Sequence, residues 1–452
     1  MKPLDIINET LMKAMEKVGE MFGDGKLIIS EVLLSAEVFR HAVSKLALSV
    51  REDEIHKRGK IILATVKGDV HDIGKNLVGM ILESHGFEVI DLGTQVSPEE
   101  LVEAVGECNP MAVGLSGLLI KSAHMMERTA EIFTDANLHV PIVVGGAALT
   151  NEFVVKRIAP AYPGRIVLYA RDCLDGLKIL RDISDGKIKP EPLVSLKASK
   201  SSTSARRTRP KRLEIETPPQ PADFERYVMA PLPLEDVMNR LNWKNMIKRH
   251  MGAGKDKEAS VRKKLEEVLQ DIIKNNRIVP KAVFAFFRAY SKDDAIVLVD
   301  ETKKELGNFS FRRSESGICA SDWVRSDIND GDNVALMLVT SGSVREAACE
   351  LRNQGEMFAS YALESFALEI AEASASYVHG LIRALWGISG VARGERFSPG
   401  YPSMPDLESQ HVIFALLNPD EIGVTLTGEC MMEPEASVSA VVFHHRDARH
   451  YI

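Results

Sequence analysis

Apolar positions recur along the chain in three rhythms. In residues 3–50 they follow helical spacing on either side of a glycine-rich turn. Ile6, Ile7, Leu11, Met15 and Val18 form one stripe, and Val32, Leu33, Ala36, Phe39 and Val43 form a second, with Phe22-Gly23-Asp24-Gly25-Lys26 between them. Two helices cannot bury both stripes alone, so the pair must pack on something else. Across residues 60–183 the rhythm changes to short Val/Ile-rich runs at 61–66, 87–91, 112–116, 141–145 and 166–169. Helical stretches separate them at about 75–85, 98–107, 122–135 and 150–158, with another at about 173–183. Continuous apolar strands alternating with helices predict a doubly wound parallel sheet of the flavodoxin-like (Rossmann-like) kind. In such sheets ligands bind beyond the carboxyl ends of the strands, which points to the loops after Val66, Ser116 and Gly145.

Residues 187–222 lose all periodicity. Their basic cluster is Lys197, Lys200, Arg206, Arg207, Arg209, Lys211 and Arg212, with no aromatic residue interleaved for base stacking. A solvated hinge fits better than a nucleic-acid site. Residues 223–452 mix long helical patterns, about 256–276 and 357–386, with strand-like runs at 295–299, 333–339 and 437–443. The expected order is a helical cap fragment (1–52), an α/β domain (55–186), a linker (187–222) and a mixed α+β domain (223–452). No internal repeat interrupts this order.

Composition narrows the function classes. The chain has 452 residues, 45% of them hydrophobic and 27% charged, with a net charge of −8. That balance gives no general case for nucleic acid or an anionic membrane. No apolar run is long enough to span a bilayer, and the start lacks a signal-peptide pattern, so a cytoplasmic location is expected. The five cysteines, Cys108, Cys173, Cys319, Cys349 and Cys430, are scattered and odd in number. Reduced, mostly buried thiols are expected, with neither a disulfide framework nor a cysteine zinc site.

The candidate chemistry sits in the loop after the first strand of the α/β domain: Gly68-Asp69-Val70-His71-Asp72-Ile73-Gly74. A strand ends, two glycines bracket a bend and a helix begins, so His71 is presented at the top of the sheet. Asp69 stands two residues earlier, within reach of one imidazole nitrogen. Metal-ligating histidines usually need such an acceptor to fix their tautomer and basicity.

The run ATVKGDVHDIGKNLVG resembles cobalamin-dependent methionine synthase almost residue for residue. That resemblance implies that His71 is the lower axial ligand of cobalt in cobalamin (methylcobalamin). It implies that Asp69 and Ser122 complete a hydrogen-bonded relay. It also implies that the nucleotide tail inserts between sheet and helices. Gly68, Val70, Asp72 and Gly74 would line the loop. Ser116 and Leu118 in GLSGL, together with Gly145, Gly146 and Ala147, match segments that meet the tail. The family often carries a hydroxyl residue where Ile120 stands. VGEMFGDGKLIISEV resembles the family's cap, whose apolar residues over the methyl group would be Phe22, Ile28, Ile29 and Val32. Only the last part of a four-helix cap is recognisable.

In the last domain, Arg396-Phe397-Ser398-Pro399-Gly400-Tyr401-Pro402 resembles the S-adenosylmethionine motif of the family's activation domain. Ala436-Ser437-Val438-Ser439, the helix at 367–383 and Trp243 match further fragments. By resemblance Arg396 holds the ligand carboxylate, Gly400 shapes the turn and Tyr401 lies near the corrin. Three positions depart from the family: Asn242 and Gly380 replace acids, and Val442 replaces a tyrosine. The resemblance corresponds to the family's carboxyl-terminal half. It implies methyl transfer and reductive remethylation, with flavodoxin or a similar reductase as partner. Homocysteine and folate modules are expected on a separate chain. The alternative is a corrinoid methyl carrier of another methyltransferase system, with the last domain as a docking module.

Overall fold

The computed structural model describes residues 3, 6–47, 58–188, 217–388 and 393–451. The basic stretch at 197–212 lies outside them. The chain divides into two compact units. The first comprises Met1–Leu196, Trp243–Ile272 and Val344–Ser365, and the second Lys197–Asn242, Ile273–Ser343 and Phe366–Ile452.

The core of the first unit is a parallel sheet of β1 (Lys60–Thr65), β2 (Glu88–Asp91), β3 (Ala112–Ser116), β4 (Ile142–Gly145) and β5 (Val167–Ala170). Its order, β2-β1-β3-β4-β5, is the flavodoxin-like order, with the topological switch between β1 and β3. Five of the six β1 residues are buried, which explains why this strand reads as an unbroken apolar run. The first two helices of the unit are α1 (Met12–Gly23) and α2 (Ile29–Ala47), and those that follow the strands are α3 (Ile73–Ser84), α4 (Pro98–Cys108), α5 (Ile120–Asp135) and α6 (Cys173–Ser184). Local chemistry sets several ends. Ser97 and Glu100 form a reciprocal capping box at the start of α4, and Asn109 closes it in the left-handed conformation. Asp172 accepts from the amides of Leu174 and Asp175 to start α6.

The helix expected at 150–158 is instead three linked pieces, Asn151–Phe153, Val154–Ile158 and Ala159–Ala161, the middle one wound as a π-helix. Pro160 has no amide hydrogen to donate backward, and the preceding turn opens to wider spacing.

The amino-terminal pair matches the expected helix–turn–helix. Met15, Phe22, Val32, Leu33 and Ala36 are buried, and the surface they meet is α3 and α6. Gly19 is a point of close approach: a Cβ there would lie 2.7 Å from Nε2 of His85.

The second unit is built on an antiparallel sheet in the order β11-β14-β10-β7-β8-β9, with β6 also paired to β7. Its strands are β6 (Arg226–Met229), β7 (Lys281–Lys292), β8 (Ala295–Val299), β9 (Glu305–Ser310), β10 (Asn333–Thr340), β11 (Glu395–Phe397) and β14 (Ser437–Phe443), and a small hairpin, β12 (Thr425–Leu426) with β13 (Met432–Glu433), precedes the last. Every residue of β10 is buried. Sequence periodicity missed β7, KAVFAFFRAYSK, which carries apolar residues on both faces. The longer helices of the remaining chain are α7 (Glu258–Lys274), α8 (Arg345–Gln354), α9 (Met357–Leu385) and α10 (Ser409–Leu417). All five cysteines are free, but "mostly buried" is corrected: Cys319 and Cys430 are buried, Cys108 and Cys173 half-buried and Cys349 exposed. Among the described residues no helix is long and apolar enough to cross a membrane.

Candidate functional site

The loop between β1 and α3 turns on Gly68, whose φ of 81° lies in the left-handed region. It brings Asp69 and His71 back onto each other. Nδ1 of His71 lies 2.6 Å from Oδ1 of Asp69, and the His71 amide donates to the same oxygen at 3.1 Å. The second carboxylate oxygen accepts from Oγ of Ser122 and from the amide of Leu118, each at 2.6 Å. Asp69 is fully buried. Burial alone would raise its pKa, but the hydrogen bonds from His71 and Ser122 outweigh it and hold the carboxyl down to about 2. The carboxylate is therefore ionised at neutral pH and selects the tautomer with hydrogen on Nδ1, leaving Nε2 of His71 with its lone pair. The His71 side chain keeps 22% of its surface accessible. The loop and α5 thus bring the side chains of Asp69, His71 and Ser122 together in one hydrogen-bonded group.

Beside this loop lies a cavity of about 330 Å³. It is sandwiched between the sheet (Leu63, Leu115, Val143) and helices α3 and α6 (Leu77, Val78, Leu180), under the carboxyl ends of β1, β3, β4 and β5. Gly74, Ser116, Gly145 and Gly146 line it. Gly146 has a further reason to be glycine: at its φ of 142° a Cβ would lie 1.7 Å from the carbonyl oxygen of Gly117. That is loop-on-loop packing, a requirement the sequence did not disclose. Leu118 is 42% exposed and contributes its amide to Asp69. Val70 is buried, and Asp72 lies 3.8 Å from Arg345 within the same unit. Ala147 does not line the cavity.

Phe22, Ile28 and Val32 are buried and Ile29 half-buried. Their helices pack along α3 and α6. The contact of Gly19 with His85 places α1 at the end of α3 remote from His71. These side chains act here as packing between helices.

Sequence reasoning missed several residues at this site. Lys75 is buried and paired with Asp91 and with Oδ1 of Asn76. Nδ2 of Asn76 donates to Glu364 at 3.0 Å, and Arg352 donates to the same carboxylate at 2.8 Å. Burial raises the pKa of Glu364. Arg171, Asp172, Cys173 and Gly176 line the cavity from β5 and α6. The only sequence signal for this last group was position, since they lie at the carboxyl end of a parallel strand.

Arg396 and Val442, two of the candidate residues of the second unit, meet at the sheet edge. Arg396, on β11, stands directly opposite Val442 on β14. Its Nη2 donates to Glu372 on α9 at 2.9 Å, while Nη1 is buried without a partner. The following turn closes through the amide of Gly400 on the carbonyl of Met404 at 2.8 Å, with Gly400 at φ 90°. Tyr401 is 56% exposed. Asn242 is exposed, and a Cβ on Gly380 would lie 3.9 Å from a guanidinium nitrogen of Arg240.

A flavodoxin-like sheet with an aspartate-braced histidine at its switch point, beside an apolar slot, defines a cofactor-binding α/β protein of the cobalamin class. Comparison with known proteins agrees. Residues 59–177 and 1–47 match two families described as B12 binding domain, and residues 240–452 match the vitamin B12 dependent methionine synthase activation domain. By these matches the chain carries cobalamin-binding domains and an activation domain of the kind found in B12-dependent methionine synthases. Methionine synthase of Mycobacterium tuberculosis (strain ATCC 25618 / H37Rv) is 32% identical over 99% of this chain and 44% of its own length. That of Mycobacterium leprae (strain TN) is 31% identical over the same shares. The chain therefore spans less than half the length of these relatives. A crystal structure of the MetH reactivation domain bound to AdoHcy is 24% identical, covering 52% of this chain and 83% of that one, with a TM-score of 0.48.

Proposed function

We propose that the chain is the cobalamin-carrying and reactivating portion of a methionine synthase, in which His71 would hold the cobalt. The observation that supports this most is the Asp69–His71–Ser122 network beside an apolar slot. The residues present fit the cofactor: an imidazole whose Nδ1 is committed to a carboxylate offers Nε2 to a metal, and the apolar slot suits the flat aromatic base of a nucleotide tail. Bound cobalamin would supply a cobalt centre able to accept and donate a methyl group.

The chain's own residues then do three things. Asp69 stays ionised, so a proton arriving at the network resides on Nε2 of His71, where it competes with metal binding. Ser122 holds the second carboxylate oxygen and with it the angle of the ring. Arg396 offers its partnerless Nη1 to the carboxylate of S-adenosylmethionine, the proposed methyl donor for reactivation. Tyr401 stands exposed on the adjoining turn. Flavodoxin or a similar reductase in the cytoplasm would supply the electron. Methyltetrahydrofolate and homocysteine would be handled by modules outside these residues. A corrinoid carrier of another system would account for residues 1–177 and leave the activation-domain match at 240–452 without a purpose.

The test is a visible spectrum. The chain loaded with cob(II)alamin is mixed with S-adenosylmethionine and a one-electron donor, beside His71→Ala. Wild type should acquire the spectrum of methylcobalamin. His71→Ala should bind cobalamin about 10–100-fold more weakly and lose the spectral signature of histidine ligation. Tight binding with no methylation would sink the reactivation reading. An unchanged spectrum in His71→Ala would sink the ligand assignment.

A further inference from the structure

Of the seven buried side-chain nitrogens and oxygens without a hydrogen-bond partner among the described residues, three belong to one cluster of the second unit. They are Nε2 of His379, Nε of Arg383 and Nη1 of Arg396. An orphaned buried N–H costs more than a typical hydrogen bond returns, so three together call for an acceptor. The arrangement follows from helix geometry. Glu372, His379 and Arg383 are seven and four residues apart on α9, which places them on one stripe of the helix. Glu372 on that stripe holds Arg396. Burial, then the charges of Arg396 and Arg383, push the His379 imidazole down to about 4, so it is neutral at pH 7.

We infer that His379, Arg383 and Arg396 form a single three-donor site for the carboxylate of the ligand. The inference rests on the Arg396 reading above and extends it to two residues on α9 that nothing else assigns. Charge favours a monoanion. With His379 neutral, the two guanidinium groups less the Glu372 carboxylate leave one positive charge, which matches a carboxylate better than a phosphate dianion. A neutral imidazole in its Nε2–H form donates without adding charge. The other end of an amino-acid ligand meets no such provision at Gly380, whose nearest neighbour is the Arg240 guanidinium. Arg240 in turn lies over the ring of Tyr377. Recognition in this chain therefore weights the carboxylate above the ammonium group.

Equilibrium binding of S-adenosylmethionine and of its decarboxylated form to the full chain tests this, using wild type, His379→Ala, Arg383→Met and Arg383→Lys. Wild type should bind the decarboxylated form about 100-fold more weakly. His379→Ala and Arg383→Met should each cost S-adenosylmethionine about tenfold and leave the decarboxylated form unchanged, with Arg383→Lys intermediate. A loss shared equally by both ligands, with a lowered unfolding midpoint, would mean a structural role and overturn the inference. Equal binding of both ligands by all four proteins would overturn it too. If wild type binds neither nucleoside, the S-adenosylmethionine reading fails, and the cluster is judged on formate. The His379 imidazole resonances should then shift saturably with formate in wild type and not in Arg383→Met. Resonances that do not move in wild type would overturn the carboxylate site itself.

Discussion

The His71 loop and the Arg396 edge both gather charged groups beneath the surface, but they finish the task differently. Around His71 each carboxylate oxygen of Asp69 has two donors, all supplied by the protein. Around Arg396 three donors wait with no protein acceptor. A closed network fixes one geometry before any ligand arrives, which suits the metal contact proposed for the His71 imidazole. An open cluster is incomplete until an anion enters, and that suits a ligand that comes and goes.

The first way to break the contrast is at the frame of the closed site. Gly146→Ala forces a Cβ against the carbonyl oxygen of Gly117 at a backbone angle that L-residues avoid. It should destabilise the first unit by about 3 kcal/mol or more, read as a large fall in urea midpoint or loss of soluble protein. Next comes the charge at its centre. Asp69→Asn should cost about 1–3 kcal/mol at pH 7. The sign with pH follows from a folded pKa of about 2, below the ordinary carboxylate value. The stabilisation is complete above about pH 4 and fades as pH falls through about 2. Urea titrations at several pH values should therefore show the gap between wild type and Asp69→Asn closing on acidification. A gap independent of pH would mean that the carboxylate's charge is not what the network uses.

The open site should tolerate more. Gly400→Ala also sits at positive φ, but its added Cβ meets only the Leu407 side chain, at 3.0 Å. It should cost about 1 kcal/mol by thermal unfolding, well below Gly146→Ala. The smallest change tests the missing family hydroxyl. Ile120 is 72% exposed, so Ile120→Thr should leave stability within about 0.5 kcal/mol. Any gain in cobalamin affinity, measured by absorbance titration, would then report a restored polar contact.

Much of the first unit was legible in the chain. Parallel strands buried on both faces must be apolar throughout, so β1, β3 and β4 announce themselves within a residue of their true ends. Asp69 and His71 are neighbours in sequence, so their pairing needs only a bend. The cavity residues on α6 were less visible, because Arg171 and Asp172 look like an ordinary polar turn until β5 delivers them to the slot. In the second unit β7 escaped notice although its first half is as continuously apolar and buried as β1. His379 and Arg383 lie inside the long helical run at 357–386, and only burial in the folded unit leaves them as unpaired donors.

Local order along the chain was enough to decide the parallel α/β architecture, the switch-point loop and the Asp69–His71 pair. Each depends on spacing of a few residues and on which faces are apolar. Beyond the resemblance that named Ser122, tertiary structure decided that its hydroxyl reaches Asp69 from 53 positions away, that Gly146 must be bare to pass Gly117, and that α9 turns two buried side chains, neutral His379 and cationic Arg383, toward Arg396. Those outcomes rest on which surfaces exclude water from which side chains, and that is settled only when the helices and sheets have packed.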